Sequence, residues 1–152
     1  NGGTPNPKSG LSSGMRLKKL LSEEPSEKSM VVRPFIIAEA GVNHETSMDL
    51  AKRLILEAKE GRADAIKFQS YRADTIASKD SPAYWDLKKE PTTNQHALFK
   101  KYDKFWKNEF VEIKNSCDKA DIEFLCTPFD FESARFLNDL MDVFKISSSD
   151  IN

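Results

Sequence analysis

The sequence has few cysteines, few glycines and no long apolar run. It contains two cysteines and six glycines in 152 residues. Cys117 and Cys126 are too few for the disulfide framework of a small secreted domain. No stretch approaches the roughly 20 apolar residues that span a bilayer, and none resembles the apolar segment of a signal peptide. We therefore expect a cytoplasmic protein that does not act at a membrane.

A strong charge of either sign is also lacking. Lysine and arginine total 23, aspartate and glutamate total 24, and the net charge is −1. This balance gives no field that would attract nucleic acid or an anionic membrane surface. Hydrophobic residues make up 39% and charged residues 31%, which is typical of a globular protein with one buried core. We therefore expect neither nucleic acid nor a membrane surface as a partner.

The first thirty residues differ from the rest of the chain. Residues 1–14 are rich in Gly, Pro, Ser and Asn, which bury too little apolar surface to offset the entropy of ordering. The spacing of Leu17, Leu20 and Leu21 allows a short amphipathic helix over residues 16–24. We predict that residues 1–30 form a disordered or weakly helical tail or linker, and that residues 31–152 form the folded part.

From residue 33 onward, short apolar runs alternate with helical patterns. Runs that are apolar on both faces are typical of strands in a parallel sheet covered by helices. Such a sheet is either doubly wound or part of a (β/α)₈ barrel, since a whole barrel takes roughly 250 residues. The predicted order is strand 34–38, helix 46–61, strand 65–71, a long polar and aromatic segment 72–105, helix 108–119, strand 122–126, helix 131–140 and strand 143–147.

Polar residues lie within or directly after the last part of each predicted strand. The carboxyl ends of parallel strands meet at one edge of the sheet, where ligands bind. Ammonium and hydroxyl groups donate hydrogen bonds to phosphate or carboxylate oxygens, so this edge is suited to an anion. The residues that gather there are Glu39, Asn43, His44, Lys67, Gln69, Thr127, Phe129, Lys145 and Ser148.

Each of these residues also has a purely structural interpretation. A single lysine in a strand is more often a solvated edge residue, but Lys67 and Lys145 stand at matching places in two apolar runs, and lysine is rarely buried without a partner. His44 has no second His or Cys at ligand spacing, so it does not predict a metal site. The chain has no glycine-rich phosphate loop.

Four segments together resemble the sialic acid synthase (N-acetylneuraminate synthase) family, which includes legionaminic and pseudaminic acid synthases and spore-coat polysaccharide enzymes. The resemblance covers about residues 34–152, and the order and spacing of the four segments carry it. They are Ile36 to Glu45 (IIAEAGVNHE), Ala63 to Gln69 (ADAIKFQ), Phe124 to Asp130 (FLCTPFD) and Phe144 to Asp150 (FKISSSD).

The resemblance implies the N-terminal half of a (β/α)₈ barrel, strands one to four. It implies an enzyme that condenses phosphoenolpyruvate with an N-acetylmannosamine-type sugar to a nine-carbon 2-keto-3-deoxy acid and releases phosphate. The family uses a divalent metal, manganese or magnesium, whose ligands lie on later strands, so no metal ligand is expected in this chain. A homodimer is expected for the full-length enzyme.

The resemblance also assigns roles to the strand-end residues. Lys67, Thr127, Lys145 and Ser148 would hold the phosphate and carboxylate of phosphoenolpyruvate. Glu39 would be catalytic, managing protons or orienting water beside the reacting carbons. The remaining predicted residues, Asn43, His44, Gln69 and Phe129, would line the same mouth.

The chain departs from the family pattern in three ways. Arg62 occupies a tight turn where the family usually has glycine, and a serine-rich segment replaces Gly-Ser-Gly-Glu near the end. The later strands and a small antifreeze-like domain are absent, so we expect these 152 residues alone to be inactive. Two alternatives stay open: another barrel that joins phosphoenolpyruvate to an aldose, making a 3-deoxy sugar acid, and a non-catalytic anion-binding half-barrel.

Overall fold

Three apolar segments pair side by side into a parallel sheet. In the computed structural model of the chain, residues 16–23 and 33–151 are described. The strands are β1 (Ile37–Gly41), β2 (Ala65–Ser70) and β3 (Glu123–Pro128), in the order β1-β2-β3. Both pairs are parallel. The predicted α/β class with parallel β/α units is confirmed.

Helices connect and cover these strands. Two of them have 13 residues each. One follows β1, the other precedes β3, and the two pack against one another. Ser47 begins the first of the two by accepting a hydrogen bond from the Leu50 N–H, as expected for an N-cap serine. The helices are α1 (Arg16–Ser22), α2 (Met48–Glu60), α3 (Ala73–Ile76), α4 (Gln95–Tyr102), α5 (Lys107–Lys119) and α6 (Phe131–Leu137), and a 3₁₀ turn follows at Ser148–Asp150.

The two faces of the sheet have different chemistry because side chains alternate along each strand. On one face Phe68 and Phe124 pack with Ile55 of α2, Ile113 of α5 and Leu137 of α6. The other face carries Ala65 and Leu125 in a smaller cluster with Leu17 of α1. We call this second face the interior face, because in a (β/α)₈ barrel it points away from the helices.

Helices α2 and α5 end with the same backbone motif before a strand. After α2 the Ala63 N–H donates to the Ala58 carbonyl and the Arg62 N–H to the Lys59 carbonyl, both at 3.0 Å. This pair of bonds is the Schellman motif, whose penultimate residue takes a positive φ. The residue is Arg62 after α2, with φ 62°, and Asp121 after α5, with φ 52°. Both turns aim the chain into the next strand.

The prediction of a fourth strand over residues 143–147 is wrong for this structure. This segment pairs with no strand of the described part, and Lys145 and Ile146 are exposed. On the preceding strand, the Cys126 N–H donates to the Met141 sulfur at 3.3 Å. The apolar pattern of residues 143–147 is that of a strand, but a strand also needs a paired neighbour.

Three further segments differ from the prediction in detail. The first strand, predicted over residues 34–38, is β1 at Ile37–Gly41. The long polar segment after β2 contains α3, α4 and an isolated antiparallel bridge between Pro82 and Asn94. The predicted helix near the N-terminus is present as α1, but of its three leucines only Leu17 is buried. The predictions for residues 1–15 and 24–30 lie outside the described residues. None of the helices in the described part is long and apolar enough to cross a membrane.

Candidate functional site

A lysine, a carboxylate and a hydroxyl meet on the interior face toward the carboxyl ends of the strands. Glu39 on β1 stands opposite Lys67 on β2, and the Lys67 ammonium forms an ion pair with the Glu39 carboxylate. The same ammonium donates to the Thr127 hydroxyl on β3 at 3.4 Å. The Lys67 side chain is 13% exposed and that of Glu39 is 51% exposed. A largely buried cation is thus held by a carboxylate that reaches the solvent.

An irregularity in β1 shapes the space beside Glu39. The register runs from Glu39 opposite Lys67 directly to Gly41 opposite Phe68, so the chain bulges at this point. Gly41 has a φ of +55°, which favours glycine. A Cβ at this position would lie 3.5 Å from Glu39 Oε1 and 3.6 Å from Gln69 Nε2. Gly41 therefore leaves open the space between the carboxylate and the amide of Gln69.

The loop after β1 places its two predicted site residues differently. Asn43 is exposed, whereas His44 is 1% exposed and stacks on Phe105 with ring centroids 4.3 Å apart. The His44 Nδ1 accepts a hydrogen bond from the Thr46 N–H at 3.1 Å. Burial lowers the pKa of His44 to about 4, so the ring is neutral near pH 7. The structure places His44 beneath the loop and not on its surface.

At the end of β3, Thr127 is buried and Phe129 borders an open cleft. The Phe129 and Tyr71 rings pack nearly perpendicular to one another, with centroids 6.2 Å apart. The backbone N–H of Phe129 donates to the Ser70 carbonyl. The cleft has a volume of about 670 Å³ and is lined in part by Phe129, Ile146 and Ser147. Thr127 and Phe129 are thus fixed by the sheet.

Lys145 and Ser148 do not join this cluster in the structure. Both are exposed. Within the described part of the chain, no hydrogen bond or ion pair connects either residue to Lys67, Thr127 or Glu39. Since residues 143–147 form no strand beside β3, Lys145 does not lie at a strand end in the described part of the chain. The structure therefore brings together Glu39, Lys67 and Thr127, with Gln69 nearby.

Two aspartates near the site were not predicted from the sequence. The Asp130 carboxylate accepts hydrogen bonds from the Ser133 N–H, the Arg72 N–H and the Thr75 hydroxyl. Asp103 is 6% exposed and accepts from the Ala73 N–H. Asp130 ties the segment after β2 to the end of β3, and Asp103 connects two parts of that segment. An Asp directly before a helical pattern is an N-cap signal, so the helix-capping role of Asp130 could have been predicted.

The described residues hold no group of three or more His, Cys, Asp or Glu side chains that could bind a metal ion. The Glu39 carboxylate is paired with Lys67, and His44 is buried against Phe105. In the described part of the chain, these two residues therefore have partners other than a divalent metal.

A parallel β/α unit with a lysine, a carboxylate and a hydroxyl toward the carboxyl ends of its strands has the architecture of the first part of a (β/α)₈ enzyme barrel. Comparison with known proteins defines it further. The chain matches the NeuB family over residues 54–152 and belongs to that family.

Two relatives and one solved structure show how far the similarity extends. The chain is 40% identical to the N,N'-diacetyllegionaminic acid synthase of Campylobacter jejuni, over 78% of this chain and 36% of that protein. It is 31% identical to the human N-acetylneuraminate-9-phosphate synthase, over 78% and 33%. The crystal structure of the sialic acid synthetase of Leptospira borgpetersenii superposes with a TM-score of 0.63 at 35% identity, over 76% and 36%. The chain spans about a third of the length of these relatives.

Proposed function

We propose that this chain is the first part of a phosphoenolpyruvate-dependent synthase of the sialic acid type. The enzyme would join phosphoenolpyruvate to an N-acetylmannosamine-type sugar and make a nine-carbon 2-keto-3-deoxy acid. The observation that carries the proposal is the Lys67 ammonium, which is largely buried between Glu39 and Thr127 toward the carboxyl ends of the strands. The names of the relatives, synthases of legionaminic acid and of N-acetylneuraminate 9-phosphate, support the substrate class.

The proposed reaction makes one carbon–carbon bond and one carbon–oxygen bond from water, and it breaks the carbon–oxygen bond to phosphate. C3 of phosphoenolpyruvate bonds to the aldehyde carbon of the sugar, and the aldehyde oxygen takes up a proton. Water adds to C2 and loses a proton, and phosphate then leaves with the C2–O bond. Lys67 and Thr127 would hold the phosphate, because an ammonium and a hydroxyl both donate to its oxygens. Glu39 would orient the water and take its proton, a general-base role.

The proposal assigns further groups to a longer protein. Lys145 and Ser148 would complete the phosphoenolpyruvate site once residues 143–147 pair with β3, and a divalent metal, manganese or magnesium, would bind residues outside this chain. A cytoplasmic location and a homodimer are part of the same proposal. So is the inactivity of these 152 residues alone, because the three strands of the described part leave the interior face open.

Binding and turnover test the proposal separately. Calorimetric titration of the chain with phosphoenolpyruvate is expected to show binding that Lys67→Met abolishes. The matched control is Lys119→Met, which removes an exposed ammonium at the last residue of α5 and is expected to leave binding unchanged. Phosphate release from phosphoenolpyruvate and N-acetylmannosamine with manganese is expected to be absent for the chain alone. Clear turnover by the chain alone would contradict the claim of inactivity.

A chimera tests the synthase activity positively. Residues 34–152 would replace the matching segment of the Campylobacter jejuni synthase, to which the chain is 40% identical. The chimera is expected to release phosphate with an N-acetylmannosamine-type sugar and to lose this activity on Lys67→Met. Greater turnover with erythrose 4-phosphate or arabinose 5-phosphate would instead favour a synthase of other 3-deoxy sugar acids.

A further inference from the structure

The Lys67 ammonium, which an incoming phosphate would need, is already paired with the Glu39 carboxylate. Lys67 is largely buried, and a buried ammonium without a counter-ion carries a large desolvation cost. In the structure the Glu39 carboxylate supplies that counter-ion, while the Thr127 hydroxyl accepts a second hydrogen bond. Any anion that binds Lys67 must therefore compete with Glu39.

The two partners of this pair differ in how easily they can leave it. About half of the Glu39 side chain is exposed, so its carboxylate can turn into the solvent and recover most of its hydration. The Lys67 side chain is only 13% exposed, and its ammonium is also held by Thr127 from the neighbouring strand. Gly41 leaves open space on the other side of the carboxylate, toward Gln69. An exchange of partners would thus move Glu39 and leave Lys67 in place.

We propose that Glu39 is a specificity-determining residue that masks Lys67 in the free protein and is displaced from it by a phosphate-bearing ligand. The proposal rests on the function proposed above and adds a coupling between binding and catalysis. While Glu39 is paired with Lys67 it cannot act as a base. Once phosphate replaces it, the carboxylate is free to accept a proton, so the base becomes available only in the loaded site. An anion with a single charge would not compensate for the lost ion pair between Glu39 and Lys67. The site therefore favours phosphate over monoanions.

Titration with inorganic phosphate tests whether Glu39 masks Lys67, without any sugar chemistry. Titration calorimetry of the whole chain compares the wild type with Glu39→Gln and Glu39→Asp. Glu39→Gln is expected to tighten phosphate binding about threefold to fivefold, the upper part of the range that corresponds to breaking one partly exposed ion pair. Glu39→Asp keeps the charge but withdraws the carboxylate by one methylene, so it is expected to give a similar increase.

The matched control is Glu45→Gln. Glu45 is an exposed carboxylate in the loop after β1 that forms no ion pair with another described residue, and the substitution changes the net charge by the same amount. It is expected to change the affinity less than twofold. Lys67→Met is expected to abolish binding in both the wild-type and the Glu39→Gln background. Circular dichroism of each variant checks that the fold is kept.

Every outcome decides the proposal. It is overturned if Glu39→Gln binds phosphate no tighter than the wild type, including the case in which neither binds. It is also overturned if Glu39→Asp behaves like the wild type, since the charge and not the ion pair would then set the affinity. If both variants gain affinity while the chimera releases no phosphate from phosphoenolpyruvate, the mask stands and the proposed function fails.

Discussion

The backbone of Arg62 lies in a region of conformation that favours glycine. Its φ is 62°, and it fills the penultimate position of the Schellman motif that ends α2. A side chain with a Cβ costs roughly 1 kcal/mol in this conformation compared with glycine. The Arg62 side chain is exposed, and it forms no ion pair among the described residues. The Schellman motif therefore carries a free-energy cost that one substitution at Arg62 can remove.

We predict that Arg62→Gly raises the free energy of unfolding by about 1 kcal/mol. Urea denaturation measures the change. The control is Glu60→Gly at the last residue of α2, where glycine in a helix is expected to destabilise by up to about 1 kcal/mol. Equal effects of the two substitutions would mean that the positive φ of Arg62 carries no strain.

The buried imidazole of His44 makes the stability depend on pH. Its pKa is about 4 in the folded chain, because burial penalises the charged ring, and about 6.5 in the unfolded chain. As the pH falls below 6.5, the unfolded state binds the proton first, so the folded state loses relative stability until about pH 4. The loss attributable to His44 amounts to about 3 kcal/mol over this window.

We predict that His44→Gln removes this part of the pH dependence. Urea midpoints measured between about pH 4.5 and pH 7.5 should fall less steeply for the variant than for the wild type, since carboxylates contribute equally to both. Asn43→Gln, at an exposed position of the same loop, changes no titratable group and should keep the wild-type slope. A His44→Gln slope equal to that of the wild type would show that the ring is not the titrating group.

At the scale of elements, α1 is attached to the amino-terminal end of the interior face. Leu17 packs with Ala65 and Leu125, and its N–H donates to the Glu123 carboxylate at 3.0 Å. Burial raises the pKa of Glu123. Arg16 pairs with Asp121 at 2.6 Å, at the turn before β3. The segment predicted as a tail therefore contains a helix that closes one end of the face on which Lys67 lies.

We predict that Leu17→Ala lowers the free energy of unfolding by about 2 kcal/mol, the lower end of the range for a buried leucine. Leu21, on the same helix, is 67% exposed. Leu21→Ala should therefore change stability by less than about 0.5 kcal/mol. Thermal denaturation of both variants measures the difference. Equal and small effects would show that α1 contributes no stability through this contact.

The sequence predicts the elements best where one local pattern decides the structure. Strands β2 and β3 and helices α2 and α5 follow from apolar runs and helical spacing. The grouping of Glu39, Lys67 and Thr127 follows from the rule that carboxyl ends of parallel strands meet. The fourth strand does not follow, because residues 143–147 carry the pattern of a strand but lack a paired neighbour among the described residues. The burial of His44 depends on Phe105, which is distant in the sequence.

At the scale of the whole molecule, β1 leaves one edge of the sheet without a neighbouring strand in the described part of the chain. Ile36 and Ile37 on this edge are 46% and 40% exposed. Unpaired backbone groups next to exposed isoleucines form a template for pairing with another chain. In the relatives, of which this chain covers about a third, further residues are available to cover such an edge.

We predict that the chain alone self-associates through β1. Light scattering coupled to size-exclusion chromatography should show an apparent mass that rises with concentration. Ile37→Lys should shift the protein toward the monomer, because a charge on an edge strand opposes pairing. Leu56→Lys, on α2, is the matched control: Leu56 is 62% exposed but lies away from the edge, and its substitution should leave the association unchanged. A concentration-independent monomer for the wild type, or equal effects of the two lysines, would show that the β1 edge does not drive association.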